Sequence, residues 1–281
     1  MFYHFGLIAK DIHNSATPTV YGAFSRDLGI SSDFQILNIL PEQLPETLEY
    51  ARSHFCGFNV TMPYKQSVLS YMDALDESAV KCGSANVVLV QDGKLIGYNT
   101  DGWGLIRALE DQGITLSGKR IVMLGAGGVA CSIAYSLSTQ KIARADVLNP
   151  APERAQALCG RFGSNFAAHT FTEEQLRECC QGAGLFINAS VVGQLGYPDF
   201  ASLDFLDGLS GGGAVFDVNY SNPASKLVPA AAARGLAAFK GRRMTACQGI
   251  RAMEIWTGRE PSKRAVDTLI SQLEQLDAVK E

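Results

Sequence analysis

Three features of the chain predict an α/β fold of two domains, one of them built on a doubly wound parallel sheet. A glycine-rich strand-to-helix turn sits near the middle of the sequence, strand-like and helix-like segments alternate after it, and 281 residues exceed one typical domain. A second domain is therefore expected in the roughly 120 residues ahead of the turn.

The turn lies in RIVMLGAGGVACSIA, residues 120–134. A basic start, an apolar run and then small and β-branched residues at helical spacing read as strand, tight turn and helix. Gly125, Ala126, Gly127, Gly128, Val129 and Ala130 fit the G-x-G-x-x-(G/A) fingerprint of a dinucleotide-binding Rossmann sheet. Gly125 can take the angles of a sharp turn, Gly127 lets main chain approach a pyrophosphate, and Ala130 lets the helix lie close on the strand. The amides at that helix start would face the anionic phosphates. Two glycines at such a turn can also serve packing alone, and it is their place in a βαβ series that favours a ligand.

Composition narrows the class further. Hydrophobic residues make up 47% of the chain and charged ones 19%, with 28 glycines, the profile of an α/β protein with many tight turns. A net charge of −4 gives no support to a nucleic-acid or anionic-membrane partner. No apolar stretch approaches the ~20 residues that span a bilayer, and no basic leader precedes an apolar run, so the expected location is cytoplasmic. Cys56, Cys82, Cys131, Cys159, Cys179, Cys180 and Cys247 are odd in number and free of C-x-x-C pairs. They read as small buried hydrophobes and not as disulfides or metal ligands. His4, His13, His54 and His169 show no ligand spacing, and no metal is expected.

In chain order, FYHFGLIA at 2–9 reads as a first strand, and the stretch after it as a helix with Thr17 as N-cap and Pro18 at its first position. Ser15 and Thr17 then present two hydroxyls at a strand-to-helix crossing, where they either cap the helix or hold a carboxylate or hydroxyl ligand. FQILNIL at 34–40 is a buried-type strand, followed by a helix opened by Pro41. In GFNVTMPYK, Val60 and Thr61 end a strand, Pro63 forces a turn, and Lys65 falls in the first turn of the next helix. The positive end of a helix dipole disfavours a cation there by about a few tenths of a kcal/mol, unless an anion offsets it. A short helix, a hairpin of VVLV and KLIGYN about Asp92-Gly93, and a helix opened at Asp101 come next. Asn86 precedes one hairpin strand, and Asn99, Thr100 and Asp101 follow the other, with Asp101 an acceptable N-cap.

Beyond the fingerprint, ADVLNP (145–150), LFINAS (185–190) and VFDVNY (215–220) read as strands. Helices are expected at 151–162 and in the Glu-rich stretch after FAAHTF. This alternation implies parallel βαβ units, whose ligands sit at the carboxyl ends of the strands, and it places Asn188, Ser190, Asp217 and Tyr220 along that edge. Two amphipathic helices, 240–258 and 262–279, close the chain, with Ala252, Met253, Ile255 and Trp256, then Val266, Leu269, Ile270, Leu273 and Leu276, at packing spacing.

Several motifs occur in one order: Ser15 and Thr17 in N-S-A-T-P, G-F-N-V-T-M-P-Y-K ending at Lys65, S-A-N at Asn86, N-T-D-G at Asp101, G-A-G-G-V-A, I-N-A-S, D-V-N-Y at Tyr220, and Gln248 before W-T-G. Together they resemble the shikimate dehydrogenase family, including its quinate/shikimate branch, over nearly the whole chain. The resemblance implies a smaller α/β substrate domain (1–101), a Rossmann nucleotide domain (102–238) and C-terminal helices (239–281) that return to the substrate domain. It implies reversible nicotinamide-dependent reduction of 3-dehydroshikimate to shikimate, with Lys65 and Asp101 as the catalytic pair. Ser15 and Thr17 would hold the substrate carboxylate, and Thr61, Asn86, Tyr220 and Gln248 its ring hydroxyls. Cofactor contacts carry over to residues 125–130 and to Asn149, Arg154, Asn188, Ser190 and Gly241. Hydride delivery to a ketone builds negative charge on oxygen, and a lysine ammonium supplies both a compensating charge and a proton.

Two departures from the family pattern bear on specificity. NADP-using members carry N-R-T after the second nucleotide-domain strand, where this chain has Asn149-Pro150-Ala151, with Arg154 one turn on. Losing an arginine–phosphate contact removes about 1.5–3 kcal/mol, or about ten- to a hundredfold in affinity. No acidic residue stands at that strand end to hold a ribose, because Asp146 lies too early. The expected cofactor is NADP or NAD, with NAD or dual use favoured. Thr17 replaces the family's second serine and Ser190-Val191-Val192 departs from its I-N-(A/T)-T-P segment, which makes quinate or an amino analogue the alternative substrate. The expected partner is a small cyclohexene or cyclitol carboxylate, and the chain is a monomer or homodimer. A nucleotide-binding sensor without turnover is the reading of another class, and retention of both Lys65 and Asp101 argues against it.

Overall fold

Two six-stranded sheets organise the chain. The computed structural model describes residues 2–12, 15–220 and 222–278, with side-chain surroundings through 272. His13 and the side chains of Leu273 and Leu276 lie outside the described residues. The chain divides into two compact units, Met1–Gly104 with Thr245–Lys280, and Leu105–Met244. The first, expected to be the smaller, is nearly equal in length to the second.

In the first unit, β1 (Phe2–Ala9) pairs in parallel with β2 (Ser31–Asn38) on one side and β3 (Gly57–Val60) on the other. The short β4 (Ala74–Leu75), which periodicity did not reveal, lies at the far edge next to a hairpin of β5 (Val87–Gln91) and β6 (Lys94–Tyr98). The strand order is β2-β1-β3-β5-β6-β4, with β5 antiparallel to β3. The hairpin turns where expected, because Asp92 and Gly93 both hold positive φ, 52° and 71°. Helix α1 (Thr17–Leu28) buries Val20, Tyr21, Phe24 and Leu28 on one stripe.

Local expectations shift in three places. Pro41 opens a 3₁₀ turn, Pro41–Gln43, and helix α2 runs only over Leu44–His54. After β3 the chain passes through turns at 62–66 into a 3₁₀ helix, Ser67–Tyr71, so Lys65 is not in the first turn of an α-helix. The dipole cost argued from sequence therefore does not arise. Thr17 is the first residue of α1 and not its cap, since Ala16 holds that place without a side-chain bond, and the Thr17 N–H donates to Ser15 Oγ at 3.2 Å. The helices α3 (Glu77–Cys82) and α4 (Asp101–Glu110) follow, the latter starting at the expected residue.

The second unit is wholly parallel, with β7 (Arg120–Leu124), β8 (Arg144–Asn149), β9 (Phe166–Thr170), β10 (Leu185–Asn188), β11 (Ala214–Asp217) and β12 (Ala237–Lys240) in the order β12-β11-β10-β7-β8-β9. The order reverses between β7 and β10, the switch point at which doubly wound sheets bind ligands. The helices α5 (Gly128–Ser138), α6 (Pro152–Phe162), α7 (Glu173–Cys180) and α8 (Leu227–Ala233) cross between strands. FAAHTF supplies β9 and Ala237–Lys240 adds β12, both unassigned from sequence. The strands expected to run to 190 and 220 stop at Asn188 and Asp217. Val122, Leu124, Leu148, Leu176, Phe186, Phe200 and Phe205 form the core of one face.

The last helices, α9 (Arg242–Thr257) and α10 (Lys263–Ala278), return to the first unit. Trp256 stacks on Phe5 with centroids 4.8 Å apart and donates Nε1–H to Val88 O at 2.9 Å. A Cβ on Gly57 would lie 2.2 Å from the Trp256 ring, so only glycine fits beneath it. All seven cysteines are thiols, six of them buried, as expected of small hydrophobes. Among the described residues no helix is long and apolar enough to cross a membrane.

Candidate active site

In the first unit the sheet topology gathers the polar residues at one edge. The carboxyl ends of β1 and β3 lie side by side, with Thr61 N–H donating to Ile8 O at 3.1 Å. Because β5 is antiparallel to β3, its amino end reaches the same edge, where Asn86 O accepts from Val60 N–H at 2.9 Å. Asn86 N–H donates to Tyr98 O, which brings in the end of β6 and the start of α4. Four segments distant in sequence therefore converge through ordinary ladder bonds.

At that edge Lys65 Nζ donates to Asp101 Oδ2 at 2.8 Å. The Asp101 side chain is 5% exposed and that of Lys65 23%, so the ammonium is reachable while its partner is enclosed. Asn86 Nδ2 donates to the other carboxylate oxygen, Oδ1, at 2.9 Å. Asp101 does not cap α4 as its sequence position suggested. Asn99 Oδ1 accepts the Asp101 N–H at 3.1 Å, and the carboxylate turns to Lys65 and Asn86 instead. A carboxylate in a first helical turn is also stabilised by the dipole. Ser15 Oγ donates to Thr17 Oγ1 at 2.7 Å, which sets two hydroxyls side by side beyond β1. Gln248 is half-buried on α9, one residue before Gly249, where a Cβ would come within 2.8 Å of Val20 on α1.

In the second unit the fingerprint takes the predicted shape. Gly125 has φ +116°, and a Cβ there would lie 2.5 Å from Ala189 O, so glycine is required at the crossing of the two loops. Gly127 precedes α5 with no side-chain cap, and a Cβ on Gly127 or Gly128 would meet nothing within 4 Å. Exposed glycine backbone at an uncapped helix start, with Ala126 and Val129 partly exposed and Ala130 buried beneath, is a cradle that fits a pyrophosphate. Asn149 ends β8 and donates its amide to Ala151 O at 3.0 Å, while Arg154 is exposed on the first turn of α6. A Cβ on Gly241 would lie 2.0 Å from Val218 O, which keeps that loop crossing closed to any side chain. Tyr220 is 38% exposed, with Arg242 over its ring at 4.8 Å.

Asn188 and Asp217 do not line the edge as their strand-end positions implied. Both are essentially inaccessible, and Asn188 Nδ2 donates to Asp217 Oδ1 and Val192 O, each at 2.9 Å. Ser190 Oγ donates to Asn188 Oδ1 at 2.7 Å, and Asn219 Nδ2 donates to Ser190 O and Val192 O. These side chains brace the loops after β10 and β11. Burial raises the Asp217 carboxyl from its ordinary 3.8 to about 6, against the opposing hydrogen bonds from Asn219, Asn188 and Ser225. The folded-state value exceeds the unfolded one, so the stability this group lends is fully present below about pH 4 and lost as pH rises through about 6. Asp217→Asn keeps the acceptor for Asn188 and Asn219 and removes the buried charge. It should stabilise the protein by about 1–3 kcal/mol at pH 7.5 and by much less at pH 4.5. Urea unfolding at the two values checks this, and an equal effect at both would show that the charge carries no cost.

Asp146 is 1% exposed and taken up by partners the sequence did not show. Its carboxylate is buried in mid-strand and accepts from Arg144 Nε at 2.8 Å and His169 Nε2 at 2.8 Å. Cys179 completes a group whose donor atoms lie within 4.8 Å of one another. His169 and Cys179 are brought there by β9 and α7, so no local spacing could have revealed it. The charge of Asp146 is already matched by Arg144, and Asp146 itself lies in the amino half of β8.

Comparisons with known proteins give the family. Residues 7–88 match the family model for the shikimate dehydrogenase substrate binding domain, and residues 108–192 the model for shikimate / quinate 5-dehydrogenase. A shikimate dehydrogenase (NADP(+)) of Thermococcus kodakarensis is 35% identical over 92% of each chain. Shikimate 5-dehydrogenase of Thermus thermophilus, solved with NADP(H) and shikimate, superposes with a TM-score of 0.82 at 30% identity, covering 96% of this chain and 99% of that one. The Listeria monocytogenes enzyme, solved with shikimate and NAD, gives 0.87 at 29% identity, covering 97% and 96%.

Proposed function

Because the chain belongs to the shikimate dehydrogenase family, we propose that it reversibly reduces 3-dehydroshikimate to shikimate with a nicotinamide dinucleotide, Lys65 and Asp101 handling the proton. The observation that carries this reading is the 2.8 Å Lys65–Asp101 pair, enclosed on the carboxylate side and open on the ammonium side. The first unit serves the substrate and the second the dinucleotide.

The residues act as follows. Ser15 and Thr17 bind the substrate carboxylate through paired hydroxyls. Lys65 keeps one N–H on Asp101 and has two left for the substrate oxygen. In reduction it neutralises the charge developing on that oxygen and donates a proton to it, and in oxidation it takes the proton back. Asp101 holds the ammonium in place and offsets its charge. Thr61, Asn86, Tyr220 and Gln248 are the candidates for the ring hydroxyls. The backbone of residues 125–130 fits the pyrophosphate, and a bound nicotinamide supplies hydride transfer to or from the carbinol carbon.

NAD, or both dinucleotides, is the cofactor this reading favours. Pro150 offers no charge where NADP-using members have arginine, and the neighbouring Asn149 amide is occupied by Ala151 O. Pro150→Arg should therefore lower the Kd for NADP by about ten- to a hundredfold and leave that for NAD within about threefold. An unchanged NADP affinity would mean that Arg154 and the backbone already serve the phosphate. Thr17 favours a test of quinate beside shikimate, because the added methyl reshapes the carboxylate end of the site. Initial rates with each acid and each dinucleotide test the whole reading. Turnover of shikimate supports it, quinate turnover alone replaces the substrate, and dinucleotide binding with silence in all four combinations restores the sensor.

A further inference from the structure

We propose that a cavity between helix α7 and the loop after β10 binds a small aromatic zwitterion, a ring carrying an ammonium and a carboxylate on a short chain. The cavity has a volume of about 250 Å³ and is lined by side chains from Phe171 to Arg177 and from Val191 to Phe205, all in the second unit. Neither stretch includes a residue assigned above to the dinucleotide or the substrate. A cavity of about 150 Å³ holds one benzene molecule, so this one takes a ring with a short chain attached.

Burial grades the lining from an apolar floor to a charged mouth. Leu176, Phe200 and Phe205 are buried and form the floor, with Phe171 and Val192 packed against the same core. Phe200 and Phe205 are tilted with centroids 5.4 Å apart, and Phe186 backs them at 6.2 and 4.9 Å. Rings in this arrangement favour a further aromatic ring, edge-on or offset, over an aliphatic chain. Val191 and Tyr197 line the cavity yet are exposed, so a bound ring also covers apolar surface that faces water. The wall is already in shape. Gly193 N–H donates to Pro198 O at 2.8 Å, which closes the turn, and Asn188 and Asn219 both donate to Val192 O. Little ordering is left for a ligand to impose.

The charged lining residues Glu173 and Arg177 are 51% and 49% exposed, which puts them at the mouth. Their Nη2–Oε2 separation of 3.7 Å is longer than a hydrogen bond, so the pair leaves guanidinium donors and carboxylate acceptors open to a ligand. Asp199 adds a second carboxylate, held by the Phe200 N–H at 2.8 Å and the Lys226 N–H at 3.1 Å. One guanidinium and two carboxylates match a ligand that carries both signs. Its carboxylate pairs with Arg177, and its ammonium with Glu173 in the added field of Asp199. A simple anion would meet two carboxylates, and an uncharged aromatic would leave the charged groups unused.

The test titrates the full chain with L-phenylalanine and with probes that each lack one feature: 3-phenylpropanoate lacks the ammonium, 2-phenylethylamine the carboxylate and L-alanine the ring. Two-dimensional ¹H–¹⁵N NMR reads both affinity and place. L-Phenylalanine should bind with a Kd of about 0.05–1 mM and shift the amides of Phe171, Val192 and Ala201, and each probe should bind at least about threefold more weakly. Arg177→Gln should weaken L-phenylalanine about 3- to 10-fold and leave 2-phenylethylamine within about twofold, and Glu173→Gln should weaken L-phenylalanine and leave 3-phenylpropanoate within about twofold. Both side chains are half-exposed, so the variants keep the fold, which their urea midpoints check. Saturating NAD should leave the Kd for L-phenylalanine within about threefold. Absence of binding at about 10 mM, 3-phenylpropanoate binding as well as L-phenylalanine, or an Arg177→Gln protein that binds like wild type would each overturn the proposal. Displacement by NAD would overturn it too, because the cavity would then be part of the dinucleotide site.

Discussion

Lys65→Met lowers kcat for shikimate oxidation by about 10²- to 10⁴-fold and leaves the Kd for shikimate within about threefold. The substitution keeps the length of the stem and removes the charge and the transferable proton. It also strips Asp101, 5% exposed, of its cation, although the Asn86 N–H remains on the other oxygen. An enclosed carboxylate without its partner destabilises a fold, so a fall in activity alone would be ambiguous. The double variant Lys65→Met, Asp101→Asn separates the effects. It should regain stability, because no uncompensated charge is left, and should remain inactive, because no proton donor has returned. Unfolding in urea and initial rates on the three proteins are the measurements. A folded Lys65→Met protein with turnover within tenfold of wild type would remove the lysine from the chemistry.

Trp256→Ala destabilises the first unit by about 3–5 kcal/mol. The indole is 6% exposed, stacks on Phe5 at 4.8 Å, meets Tyr21 at 4.9 Å and donates to Val88 O. Its removal leaves a cavity over Gly57, whose missing side chain makes the room the ring fills, and leaves the Val88 carbonyl without this donor. Nothing nearby can close the gap, since Phe5 and Tyr21 are held by the sheet and by α1. Two units need not unfold together, so the transition of the first should be followed by a probe within it. Gly57→Ala tests the same contact from the other side, because the added carbon collides with the ring. A loss under about 1 kcal/mol in Trp256→Ala would mean that α9 is held to the sheet elsewhere.

Much of this was legible in the sequence, and the reason differs by feature. The fingerprint at 125–130 could be read directly, because a positive-φ glycine and a small residue beneath a helix are demands of the local backbone. The hairpin at Asp92-Gly93 was legible for the same reason. Lys65 and Asp101 were singled out by motif and family resemblance, yet the physical argument offered for Lys65, a cation in a helix's first turn, fails because that segment is a run of turns. Asn188 and Asp217 were placed at strand ends, where loop-bracing and ligand-lining residues look alike in sequence.

The sequence by itself determined the α/β class, the order of most strands and helices, the glycine turn for a dinucleotide and the family. Each follows from periodicity, backbone stereochemistry or motif order, which neighbouring residues express without the rest of the chain. Only the tertiary structure decided the partners. Lys65 meets Asp101 from 36 positions away, Trp256 meets Val88 from 168, and Asn86 meets Asp101 from 15. A hydrogen bond needs its two atoms near 3 Å with the right geometry, and which atoms arrive there is settled by strand pairing and by helix return, not by the spacing of either residue in the chain.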